Sequence, residues 1–111
     1  MLVTSSYKKN DIISIKLSTG EEVVGRFNAS DATSIDVVKP TVLTLNPQSG
    51  QVMLIPWLMS IDVHSSEPVE IKNSQVVALS KPAKGISDVY LKGSSGIAMP
   101  SANELSGIIK Q

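Results

Sequence analysis

Residues 17–27 read LSTGEEVVGRF, and the reading of the two glycines in this stretch decides the fold. Gly20 follows Ser18-Thr19 and precedes Glu21, a composition that favours a tight turn. Gly25 lies between Val24 and Arg26, inside a run that otherwise alternates as a strand does. Glycine in a strand interior costs about 0.5–1 kcal/mol relative to alanine, so its presence there needs a structural return. The flanking pattern is clear. Ile13, Ile15 and Leu17 alternate with Ser14, Lys16 and Ser18. Val23, Gly25 and Phe27 then alternate with Val24, Arg26 and Asn28. Two half-buried strands joined at Gly20 are expected to form a hairpin.

The same periodicity continues outward. A third run begins at Ile35, passes Val42 and Leu43 and ends at Leu45. Pro40 lies within it, and a proline in a strand marks an edge or a bend. Asn46-Pro47-Gln48-Ser49-Gly50 is a turn signal. The most apolar stretch follows, Val52-Met53-Leu54-Ile55-Pro56-Trp57-Leu58-Met59, and reads as a strand broken at Pro56. Val69–Lys72 and Val76–Leu79 read as two short strands separated by Asn73-Ser74-Gln75. Beyond Pro82 the spacing predicts a helix with Ile86, Val89 and Tyr90 on one face, ended by Gly93. Ser101 and Glu104 have capping-box spacing before a short terminal helix bearing Leu105 and Ile108.

The totals bound the function. The chain has 111 residues, enough for one domain with its own core. It has no cysteine, which removes disulfides and thiolate metal sites. Ten Lys plus Arg balance ten Asp plus Glu. A basic footprint typical of a monomeric nucleic-acid binder is therefore absent, although repetition in an assembly concentrates charge. No run is long and apolar enough for a membrane helix. Residues 1–11 lack a basic region followed by an apolar core, so no secretory signal and a cytoplasmic setting are expected. His64 with Asp62 and Glu67 reads as a polar loop rather than a metal centre. No nucleophile–base–acid order, P-loop or dinucleotide motif occurs, so neither an enzyme nor a cofactor is expected.

The spacing from Leu17 through Gly20, Val23, Gly25 and Phe27 to Asp31 resembles the first signature motif of the Sm and Sm-like RNA-binding proteins. In that family the first glycine turns the chain and the second sits where strand two bends. Ile71-Lys72-Asn73-Ser74-Gln75-Val76-Val77-Ala78-Leu79 has the shape of the second motif, with Lys72 and Asn73 where Arg and Gly usually stand. The resemblance covers residues 11–80. It implies a mainly β fold, a five-stranded, strongly bent antiparallel open barrel, with a short, partly helical C-terminal extension. The implied organisation is an N-terminal segment 1–10, a barrel domain 11–80 with a long loop or hairpin insertion at 46–68, and an extension 81–111. The divergence fits a phage, viral or environmental branch.

The resemblance also implies a function: a homo-oligomeric ring that binds RNA, or single-stranded DNA, without catalysis. Asp31, Ser34 and Ile35 in one loop, and Lys72, Asn73 and Gln75 in another, would make the contacts. The family usually has an Asn where Ile35 stands, so sequence preference is expected to be weak. The alternative is a scaffold ring that binds proteins instead.

Overall fold

The computed structural model describes residues 7–62 and 64–93. The expected terminal helix and its capping box lie outside them. The fold is mainly β: six antiparallel strands in one sheet, followed by one helix. The strands are β1 (Ile12–Leu17), β2 (Glu22–Ser30), β3 (Ser34–Leu45), β4 (Val52–Pro56), β5 (Pro68–Lys72) and β6 (Val76–Ser80). A 3-10 turn over Asn73–Gln75 joins the last two, and α1 spans Lys84–Gly93.

The sheet order is β4-β3-β2-β1-β6, with β5 also paired to β3. β3 is long enough to hold two partners on the edge away from β2. Its C-terminal half pairs with β4, from Thr41 opposite Pro56 to Leu45 opposite Val52. Its N-terminal half pairs with β5, from Ser34 opposite Lys72 to Val38 opposite Pro68. Six strands thus occupy five positions across the sheet. β4 ends at Pro56 and β5 begins at Pro68. Pro56 ends β4 as the sequence predicts, because proline has no N–H to continue the ladder.

The two glycines have separate tasks. Gly20 has φ +97°, in the left-handed region. Its N–H donates to the Leu17 carbonyl at 2.9 Å, and the Leu17 N–H donates to the Glu21 carbonyl at 2.9 Å. Gly25 instead sits opposite a bulge. Val24 pairs with Thr41 and Arg26 with Val38, so Gly25 alone faces Lys39 and Pro40. A β-bulge bends its strand and raises the local twist. Lys39 adopts φ 50°, and Pro40 withholds a donor where the ladder is already broken. The bend brings β3 onto β2 so closely that a Cβ at Gly25 would overlap Val37 Cγ1 and lie 3.4 Å from Pro40 Cα. This close approach is what the glycine secures.

Alternation along the strands sorts the apolar residues onto two faces. Ile13, Ile15, Leu17, Val23, Phe27, Ile35, Val37, Ile71 and Val76 form the main core. Ile12, Val24, Leu43 and Leu54 lie in a second cluster, covered by Ile86, Val89 and Tyr90 of α1. The predicted helical face is therefore the docked one. The fully buried Tyr90 places its hydroxyl 2.9 Å from the carbonyl oxygens of both Val38 and Lys39, at the β3 bend. The tyrosine thus supplies a donor to the backbone where the bulge interrupts the β2–β3 register.

Candidate nucleic-acid interface

The loop between β2 and β3 is organised by one carboxylate. Asp31 Oδ1 accepts from the Thr33 N–H at 2.8 Å, the Thr33 hydroxyl at 3.0 Å and the Ser34 N–H at 2.9 Å. The Asp31 N–H closes the turn on the Ser34 carbonyl at 2.9 Å. Aspartate suits this position because its short side chain reaches N–H groups two and three residues ahead. Those backbone donors, Thr33 first, hold the Asp31 carboxyl below the ordinary carboxylate range.

The second loop is tied to the first. The Asn73 N–H donates to the Thr33 carbonyl at 2.9 Å, and Asn73 Nδ2 donates to the Asp31 carbonyl at 3.1 Å. Asn73 is buried, and its Oδ1 has no hydrogen-bond partner. On the far side of the 3-10 turn, the Gln75 carbonyl accepts from the Ser18 N–H at 2.8 Å. Gln75 Oε1 accepts from the Ser18 hydroxyl at 2.7 Å. One short turn therefore laces the β2–β3 loop to the β1–β2 turn.

The six residues singled out in the sequence come together at this end of the sheet but divide by exposure. Asp31, Lys72 and Gln75 are at the surface, whereas Ser34 and Asn73 are buried. Ile35 belongs to the main core with no exposed surface, so only its backbone borders the loop. Its alternation with Val37 carries that signal in the sequence. Lys72 Nζ lies 2.8 Å from Glu70 Oε1, two residues earlier on the same face of β5. The pairing raises the Lys72 pKa and lowers that of Glu70, the hydrogen bond being the larger cause and charge attraction the next. Both groups are largely exposed, so the pair adds little to stability.

Beside Lys72 lies a depression of about 230 Å³, whose wall includes Trp57, Leu17 and Ile71. The proline before Trp57 was its one local signal, since it takes the tryptophan out of the strand. Elsewhere, Asp62 Oδ1 accepts from the His64 N–H at 2.9 Å, making a turn. Among the described residues no three metal-ligating side chains cluster. No helix among them is long and apolar enough to cross a membrane. No protein-family model matches the chain, and no curated protein matches it significantly.

The Asp31 turn gives a pH prediction. A carboxyl whose pKa is lower in the folded state contributes stability that is present above its unfolded value. That contribution is lost as pH falls through the folded value. Asp31→Asn should therefore be less stable than the wild type at neutral pH, with the gap narrowing as the solution is acidified below the ordinary carboxylate range. Urea unfolding at several pH values reads this directly.

Proposed function

We propose that this chain is a divergent Sm-like protein that assembles into a homo-oligomeric ring and binds single-stranded nucleic acid, RNA foremost, without catalysis. The observation that carries the reading is the pair of hydrogen bonds from Asn73 to Thr33 and Asp31. They hold the loops bearing Asp31 and Lys72 together at one end of the sheet, where that function needs them. Two further features support it. The strand order, with β6 beside β1 and the β3 bulge opposite Gly25, is compatible with a five-position open barrel. Among the described residues β4 and β6 each have one unpaired edge, with Ile55 and Val77 exposed upon them. Unpaired edges favour strand addition, and pairing β4 of one copy with β6 of the next would propagate a ring.

Lys72 from each copy would supply the repeated phosphate contact, exchanging Glu70 for phosphate oxygen. Phosphate contacts release counterions, so affinity should fall steeply with salt. The test is anisotropy of labelled oligo-U and oligo-A at low and high salt. The wild type should bind at low salt, and Lys72→Ala should weaken both oligonucleotides alike and flatten the salt slope. No binding at low salt would remove the nucleic-acid function. Binding unchanged in Lys72→Ala would remove this site.

Two observations favour the scaffold alternative. The Lys72 ammonium is already engaged by Glu70, while Ile55, Met59 and Val77 expose apolar surface. A ring that binds proteins would keep its assembly and ignore both oligonucleotides.

A further inference from the structure

The depression beside Lys72 combines a flat aromatic wall with acceptor groups. Trp57 follows the last residue of β4, and its N–H donates to the Pro40 carbonyl at 3.1 Å. This bond anchors the start of the 57–67 segment to the β3 bend. The indole packs against the main core yet remains half-exposed. Leu17 and Ile71, both buried, line the depression with it. The surrounding side chains are polar: Thr19, Glu21, Glu70, Lys72 and Gln75. Each carboxylate uses one oxygen locally, Glu21 Oε1 for the Thr19 hydroxyl at 3.1 Å and Glu70 Oε1 for Lys72 at 2.8 Å. Glu21 has a second oxygen that can accept, and Glu70 also takes a hydrogen bond from the Ser34 side chain.

The volume, about 230 Å³, is small for a drug-sized ligand and suits a single ring system. An apolar wall with an indole suits a flat π face, because stacking needs no particular hydrogen-bond pattern. Acceptors on the surround suit a ring with N–H groups at its edge. The ammonium beside them suits a phosphate carried on the sugar of such a base. An aliphatic side chain would meet the wall but bring no donor to the carboxylates.

We propose that this depression is a base-binding subsite, in which one nucleobase of a bound strand stacks on Trp57 and directs an exocyclic amino group to Glu21 and Glu70. The proposal rests on the nucleic-acid reading above and adds a specificity to it. Adenine carries an exocyclic amine with two N–H donors and uracil offers only its ring N3–H, so the subsite prefers adenine over uracil. The loops at Asp31 and Lys72 hold backbone, and the Trp57 depression reads one base beside them.

Trp57 is the only tryptophan in the chain, so its emission reports this site alone. The experiment titrates the full chain with AMP, UMP, oligo-A and oligo-U, following Trp57 emission and the anisotropy of labelled oligonucleotide together. AMP and oligo-A should quench Trp57 saturably, and UMP should do so several-fold more weakly. Trp57→Leu should lower oligo-A affinity at least about fivefold, the loss expected for one stacked base. Glu21→Gln changes an exposed side chain and keeps the fold. It should bring the AMP-to-UMP ratio toward one, which a merely structural tryptophan would not do.

The two readouts fail separately. Oligonucleotide binding with unchanged Trp57 emission overturns the subsite and leaves the Lys72 loop reading intact. No anisotropy change at low salt removes that reading and the strand-borne base with it. Trp57 emission that responds to protein concentration and not to nucleotide overturns the subsite by assigning the depression to a second copy.

Discussion

Tyr90→Ala is expected to destabilise the protein by about 3–5 kcal/mol, the range for truncating a large buried aromatic side chain. Tyr90 has no solvent-exposed surface and joins Val89 of α1 to Val24 and Leu54 of the sheet. Truncation removes that packing and also takes the hydroxyl donor from the Val38 and Lys39 carbonyls. Tyr90→Phe separates the two contributions. It keeps the ring and should cost about 0.5–1.5 kcal/mol, the net value of an ordinary hydrogen bond, or more if both carbonyls remain buried and unpaired. Urea unfolding of both variants, followed by circular dichroism, gives the comparison. Equal losses in the two would place the whole contribution in the hydroxyl and contradict the packing account.

Gly25→Ala is expected to cost about 1–3 kcal/mol through overpacking, and Gly25→Val more. The added Cβ would meet Val37 Cγ1, which belongs to a stiff, fully buried, β-branched side chain. Pro40 Cα, on the same strand and 3.4 Å from the same point, adds a second neighbour at contact distance. The mechanism has a direct check in a double-mutant cycle. Val37→Ala alone should cost about 2 kcal/mol through lost apolar burial and the cavity left behind. In the Gly25→Ala, Val37→Ala double variant the offending methyl is gone, so the combined loss should be smaller than the sum of the single losses. Strict additivity would show that Gly25 matters for backbone reasons alone.

Much of this architecture is legible in the sequence, where the causes are local. Gly25 interrupts an alternating run, and only a close approach or a bulge explains its tolerance. The structure supplies both, at Val37 and opposite Lys39-Pro40. Ile86, Val89 and Tyr90 share a helical face by spacing, and that face docks. Pro56 ends β4 because the missing N–H is a local property. What the sequence hides is nonlocal. Nothing near Tyr90 indicates that its hydroxyl reaches a bend some fifty residues earlier. The sharing of one β3 edge by β4 and β5 depends on the length of β3 against two short partners. Asn73 reads from sequence as a surface amide in a turn, yet it is buried as the tie between loops. The candidate interface is therefore legible as a place and less so as a set of roles, because burial divides residues that adjacent positions make look alike.

These roles all assume repetition, since one Lys72 beside Glu70 is a weak anion site and a ring of them is a strong one. Light scattering coupled to size-exclusion chromatography tests that assumption most directly. A single species at a fixed multiple of the chain mass, unchanged across dilution, is the predicted result. A species at the mass of one chain at every concentration would contradict the account.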